Sequence, residues 1–223
     1  MSEAAQTALP TLYSFRRCPY AMRARLALLA SGVRCELREI VLKDKAPEFL
    51  CASPKGTVPV VVTPAGTAIE QSLEVMQWAL AQNDPDGWLD PDEGSAKEMD
   101  ALISACDGPF KTALDRYKYA ARYEGADPLS ERAKGAAFLL QLNERLATRA
   151  YLFGARPSLA DMAIAPFVRQ FANVDRVWFD AQPWPHLIAW LEAFLTSAAF
   201  EAIFKKYPKW HAGDVPTVFP ERP

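Results

Sequence analysis

A short apolar run, Leu9 to Phe15, ends in Arg16-Arg17-Cys18 and passes at once into Pro19 and a helical pattern from Tyr20 to Ser31. Proline is favoured at the first helical position, where its missing N–H would be unpaired in any case, so Pro19 sets the helix start and Cys18 its cap. Met22, Leu26, Leu29 and Ala30 share one face of that helix, and Gly32 follows as its stop. Cys35 to Leu42 then alternates apolar and polar residues, the pattern of a half-buried strand. Strand, helix and strand joined by one crossover form a right-handed parallel unit. The start of the chain is thereby committed to an open α/β sheet.

A cysteine at a helix start has a chemical consequence. The unpaired N–H groups of the first turn point toward the sulfur and carry partial positive charge, and Arg16, Arg17 and Arg23 lie close in sequence. Cysteines so placed titrate at roughly 3.5 to 7.5 instead of ~8.5 and are nucleophiles at neutral pH. The plainer use of an isolated cysteine is as a small buried apolar residue. The order of strand, basic pair, Cys-Pro-aromatic and helix favours the reactive use.

The chain continues through a charged connection at Lys43 to Lys45, a short helix at Pro47 to Cys51, and a turn at Ser53 to Thr57. Val58 to Val62 reads as a strand with proline near its start, and Ala68 to Glu70 pairs back on it as a hairpin. Ser72 is placed to cap a helix carrying Leu73, Val75, Met76, Ala79 and Leu80. The result is β-α-β-α-β-β-α over residues 1–83, an α/β domain. Turn formers crowd residues 84–94, which read as a linker. Beyond it, residues 95–223 read as all-helical, with helices at Ala96 to Tyr123, Ser130 to Ala150, Ser158 to Ala172, Pro185 to Ser197 and Ala198 to Tyr207. The proline-rich tail from Pro208 is expected to be irregular and draped on the surface.

Composition removes several classes of function. Lys+Arg 25 against Asp+Glu 27 leaves a net charge of −2 without runs of like charge, so no nucleic-acid footprint is present. The chain shows neither a basic-then-apolar leader nor an apolar stretch of membrane-spanning length, and the expected setting is cytoplasmic, away from membranes. Cys18, Cys35, Cys51 and Cys106 lack metal-ligand spacing, and His186 and His211 are the only histidines, which argues against a metal site.

An α/β unit opened by Cys-Pro-Tyr, a later Val58-Pro59, Gln71-Ser72 ahead of a helix and a helical second half together resemble the glutathione S-transferase superfamily. The resemblance covers nearly the whole chain and is nearest to its omega-like and glutaredoxin-like, cysteine-type branches. It implies a thioredoxin-like first domain and a C-terminal helical bundle, with glutathione as co-substrate and no metal. It also implies that Val58, before a cis Pro59, holds the cysteinyl backbone of glutathione, and that Gln71-Ser72 hold its γ-glutamyl end. Ser72 at a helix N-terminus suits a carboxylate, since hydroxyl, N–H and helix dipole converge there. Relatives carry an acidic residue at the position of Gln71, which supplies only a neutral acceptor; Glu70 is the candidate substitute. Tyr20 and Lys45 join the implied glutathione contacts, Lys45 near the glycyl end. Phe110 and Tyr117 are the candidates for a hydrophobic co-substrate pocket, although an aromatic stripe at helical spacing is more often core. Ser158-Leu159-Ala160-Asp161 is a capping box, so Asp161 reads as a stability residue.

The expected activity is a glutathione-dependent thiol transferase or reductase in which Cys18 is the catalytic residue and becomes glutathionylated. Ala21 stands where a C-x-x-C pair has its second cysteine, so the route is monothiol. Two alternatives stay open. One is conjugation of glutathione to a small electrophile, with Tyr13 or Ser14 as the activating hydroxyl; the other is a noncatalytic module binding glutathione or an apolar ligand. Relatives form two-fold dimers and some are monomers, so the resemblance leaves homodimer and monomer both open.

Overall fold

A computed structural model describes residues 8–221 of the chain. The chain divides into two compact units, Met1–Pro85 with Ala198–Pro223, and Asp86–Ser197.

The first unit contains β1 (Thr11–Ser14), α1 (Pro19–Ser31), β2 (Cys35–Glu39), α2 (Pro47–Ala52), β3 (Val60–Val62), β4 (Ala68–Ile69) and α3 (Ser72–Leu80). This is the β-α-β-α-β-β-α order read from periodicity, and β1 pairs with β2 in parallel, Leu12 opposite Leu37 and Ser14 opposite Glu39. Antiparallel pairing of β3 with β1 and of β4 with β3 completes a thioredoxin-like sheet. β2 is shorter than its alternating pattern because Val41 and Asp44 bridge across a turn.

The tail departs from expectation. Residues 198–223 belong to the first unit and not to the helical one, and they are regular in part. The last two elements in chain order, designated α10 (Ala198–Phe204) and β5 (Thr217–Phe219), pack on α1 and pair antiparallel with β2, giving the strand order β4-β3-β1-β2-β5. Phe219 is buried, and the Trp210 N–H donates to the Glu39 carbonyl at 2.9 Å. Three alternating residues at a sheet margin are too short a signal to separate from loop, whereas the hydrogen bonds offered by the open edge of β2 are strong.

This covering also changes α1. A single apolar face was expected, yet Ala21, Ala24 and Leu28 are as buried as Met22 and Leu26, and Arg23 and Arg25 are buried too. α3 lies against one side of α1 and α10 against another, and only Tyr20, Leu29 and Ala30 stay partly exposed.

The second unit is helical: α4 (Ala96–Ala105), α5 (Lys111–Lys118), α6 (Pro128–Leu146), α7 (Leu159–Ala172), α8 (Arg176–Asp180) and α9 (Pro185–Leu195). One long helix was expected over Ala96 to Tyr123. It is broken by a π-helical turn at Cys106–Phe110 that contains Pro109, and it ends in a 3-10 turn at Ala120–Arg122. Proline cannot donate to the preceding turn and crowds it, and the wider π turn absorbs both defects. The expected linker is partly tied down: the Arg156 guanidinium donates to the carbonyls of Asp86 and Asp90 and to the Asp92 carboxylate, so residues from Asp86 onward belong to this unit.

The core of the second unit is aromatic. Phe171 meets Phe110 at 5.6 Å, Tyr117 at 5.3 Å and Trp178 at 6.3 Å between ring centroids. Gly135 in α6 lets the ring of Phe171 approach: a Cβ there would lie 2.5 Å from Phe171 Cε2. Alanine is ordinarily about 1 kcal/mol better than glycine inside a helix. Here the collision outweighs that gain, because the ring is wedged among its neighbours, and Gly135→Ala is expected to destabilise by about 1–3 kcal/mol. Thermal melting tests this, and a raised melting temperature would refute it.

Candidate active site

The site grows from the junction of β1 and α1. The Cys18 N–H donates to the Phe15 carbonyl at 3.0 Å, closing the turn after the strand. The Cys18 backbone is extended, with φ −75° and ψ 123°, and its carbonyl accepts the Met22 N–H, so Cys18 is the N-cap of α1. Its side chain makes no capping hydrogen bond. The sulfur is half-buried against the apolar cluster of Tyr13, Ala21, Ile40, Phe49, Val58 and Val60. Cys18 Sγ lies 3.8 Å from the Val58 carbonyl oxygen. The Val58–Pro59 peptide is cis, and it lies just ahead of β3, which starts at Val60 and not at Val58 as its sequence pattern suggested.

α1 links this corner to the start of α3. Arg23, five residues beyond Cys18, donates from Nη1 to Ser72 Oγ at 3.4 Å, and its guanidinium lies 5.6 Å from the Tyr20 ring centre. Ser72 is the first residue of α3, one place inside the cap position expected for it; Gln71 is the N-cap and is exposed. The expected substitute, Glu70, accepts from the Ser53 hydroxyl at 2.5 Å and from Lys55 Nζ at 3.4 Å. The Ser53 hydrogen bond, and then Lys55, hold the Glu70 carboxyl below the usual range. Lys45 lies across Gly56, where a Cβ would come within 2.8 Å of its Nζ.

The structure therefore brings Cys18, Val58 and Pro59 together, and it ties Tyr20 through Arg23 to Ser72 beside Gln71. Phe110 and Tyr117, the candidates for a co-substrate pocket, belong to the helical unit. Phe110 is only 2% exposed, with Phe138 at 4.8 Å and Phe171 at 5.6 Å, which makes it a core residue of the helical unit. Tyr117 is half-buried against Phe171. Burial pushes the Cys35 thiol up to about 12, Cys106 is buried, and Cys51 is exposed on α2. A cleft of about 390 Å³ lies under the tail, lined by Leu37, Glu39, Tyr207, Trp210 and Thr217 among others, and Cys18 is not part of its wall.

Sequence reasoning missed the buried charges behind the site. Arg25 is fully buried; it donates to Ser14 Oγ at 2.8 Å and to the Ile203 carbonyl at 3.0 Å, and it forms an ion pair with Glu39. Burial lowers the Arg25 pKa from its ordinary value, and the carboxylate of Glu39 opposes the shift. The available signal was two arginines flanked by alanines inside an otherwise apolar helix, Ala21-Met22-Arg23-Ala24-Arg25-Leu26. Charged side chains survive such surroundings only when paired.

A thioredoxin-like sheet with a Cys-Pro helix start, followed by a helical bundle, is the architecture of the glutathione transferases. The family model of the glutathione S-transferase N-terminal domain matches residues 12–88, and that of the C-terminal domain matches residues 110–193. The chain belongs to the glutathione S-transferase superfamily, a family of enzymes. It is similar to glutathione S-transferase omega-1 of Rattus norvegicus, 28% identical over 166 residues that make up 74% of this chain and 68% of the relative. Maleylacetoacetate isomerase of Rattus norvegicus is 27% identical over 205 residues, 88% of this chain and 92% of the relative. In the solved structures, a glutathione transferase family member from Pseudomonas fluorescens, with two glutathione bound, superposes with a TM-score of 0.76 at 20% identity, covering 91% of this chain and 95% of the other.

Proposed function

We propose that the protein is a glutathione-dependent thiol transferase with Cys18 as its nucleophile. The observation that carries this reading is the placement of the sulfur. Cys18 occupies the cap of α1, its side chain is not spent on capping, and Sγ faces the backbone of Val58. A thiolate there is favoured by the first-turn N–H groups.

In the proposed reaction the Cys18 thiolate attacks the glutathione sulfur of a mixed disulfide. A bond forms between Cys18 and that sulfur, the old disulfide breaks, and the substrate leaves as a thiolate. A second glutathione thiolate then attacks the same glutathione sulfur, releasing oxidised glutathione and regenerating the Cys18 thiolate. One protein thiol suffices, consistent with Ala21 at the second position. Val58 would take the cysteinyl backbone of glutathione, and Ser72 with Gln71 the γ-glutamyl end. Tyr20 and Lys45 would border the same ligand.

The alternative of conjugation through a protein hydroxyl has less support. Ser14 is fully buried and accepts from Arg25, and the Tyr13 hydroxyl accepts from Arg38 Nη1 at 2.9 Å. Tyr13 is buried as well, so neither hydroxyl is open to a ligand.

Incubation with oxidised glutathione, followed by peptide mass analysis, tests the proposal. The adduct is expected on Cys18 and not on the exposed Cys51. Alkylation of Cys18 should stay fast below pH ~7, where an ordinary thiol near ~8.5 has slowed. An adduct confined to Cys51, or a Cys18 that alkylates only in alkaline solution, would sink it.

A further inference from the structure

We infer that Glu39 is a positioning residue for Cys18, acting through the main chain of Arg16. The inference rests on Cys18 being the reacting thiol. Glu39 closes β2 with its side chain 10% exposed, and each of its carboxylate oxygens has a separate task. Oε2 pairs with the Arg25 guanidinium, and Oε1 accepts the main-chain N–H of Arg16 at 2.7 Å. Arg16 lies two residues before Cys18, inside the turn that the Cys18 N–H closes on Phe15. The carboxylate is thus a bracket between a helix and the loop that delivers the sulfur.

The bracket is anchored from several directions. Arg25 cannot swing away, because it also holds Ser14 Oγ in β1 and the Ile203 carbonyl in α10. The Glu39 main chain is fixed by β1 on one side, Ser14 opposite Glu39, and by the Trp210 N–H on its carbonyl. The Arg16 side chain meets the same tail: its guanidinium carbon stands 4.7 Å from the Phe204 ring centre, and Nη1 reaches the Phe204 carbonyl at 3.5 Å. α10 therefore closes on the Cys18 loop through two arginines. A buried ion pair alone is weak evidence of anything but a satisfied charge. Here the carboxylate spends its second oxygen on a loop N–H, and a loop misplaced by about 1 Å can cost on the order of 100-fold in rate.

Two conservative substitutions divide the tasks. Glu39→Asp keeps the charge but is one methylene short of spanning Arg25 and the Arg16 N–H together. Glu39→Gln keeps the reach and an amide oxygen for Arg16 while giving up the charge. Alkylation of Cys18 relative to Cys51, read peptide by peptide in the full chain, is expected to fall about 10-fold in Glu39→Asp and to stay within about 3-fold in Glu39→Gln. Disulfide reduction should lose kcat by a similar factor in Glu39→Asp, with KM for glutathione unchanged. A purely structural ion pair would predict the reverse, with Glu39→Gln the weaker protein and the Cys18 to Cys51 ratio unmoved in both. That ratio unmoved in Glu39→Asp overturns the inference. A Cys18 as slow as Cys51 in the natural protein would instead overturn the nucleophile assignment, so the two failures are distinguishable.

Discussion

Cys18→Ser is expected to abolish glutathione-dependent disulfide reduction, lowering kcat by at least ~10³-fold while leaving the fold intact. The reasons for the loss and for the retained fold are separate. A serine hydroxyl is not ionised at neutral pH and does not form a mixed disulfide, so neither half of the exchange proceeds. Structurally the change is mild. Cys18 is the N-cap of α1, and its thiol gives the helix no capping hydrogen bond. Serine is among the preferred N-cap residues, and its smaller oxygen is suited to accept an N–H from the first turn. Thermal melting should therefore stay level or rise slightly, and retention on immobilised glutathione should persist, because the proposed contacts through Val58 and Ser72 do not involve the sulfur. Glutathione conjugation to an electrophile should be unchanged or raised. Disulfide reduction surviving in Cys18→Ser would refute the thiol mechanism; lost retention together with normal melting would mean that the sulfur also binds.

The fold of the first unit was legible because its signals are local. Period-two alternation at Cys35 to Glu39, the proline at the start of α1 and Gly32 at its end each rest on a few consecutive residues. Gly32 takes φ +70° at the C-cap of α1, as its position in the sequence implied. The tail was illegible for the opposite reason. Thr217–Phe219 is a strand only because β2 offers it an open edge, and no pattern within three residues records an edge nearly two hundred positions away. The same distance hid the environment of α1. Read alone, the helix calls for one wet face; with α3 against Arg23 and α10 against Arg25, both guanidiniums need partners inside.

The site divides along the same line. Cys18 and the Val58–Pro59 pair were readable because main-chain position makes them what they are: a helix cap and a cis peptide just ahead of a strand. Side chains that act at a distance were not. Glu39 is an unremarkable end to an alternating strand until the fold sets Arg25 and the Arg16 N–H on its two oxygens. The aromatic stripe also depended on packing: Phe110 has helical spacing suited to a cleft or a core, and the rings of Phe138 and Phe171 pack against it.

Asp161→Ala is the second large effect, and it concerns stability. The carboxylate is 1% exposed and serves two local elements and one distant one. Oδ2 accepts the Ser158 N–H at 2.9 Å, one half of the capping box at the start of α7, and also the Ser158 hydroxyl at 2.7 Å. Oδ1 accepts the Leu152 N–H at 2.9 Å from the preceding turn and the indole N–H of Trp190 in α9 at 3.0 Å. Truncation leaves these donors buried without their acceptor, and each orphaned buried group costs about 1–3 kcal/mol. Contributions in one network do not simply add, so a total near 4 kcal/mol is expected, or about 10 °C in melting temperature for a chain of this size. Asp161→Asn should lose less, because its amide oxygen can still serve one pair of donors. Calorimetry checks the magnitude, and Cys18 alkylation measured well below the transition separates stability from chemistry. It should match that of the natural protein. A slowed Cys18 in a still-folded Asp161→Ala would make the carboxylate part of the reaction, and an unchanged melting temperature would show that water or other acceptors replace it.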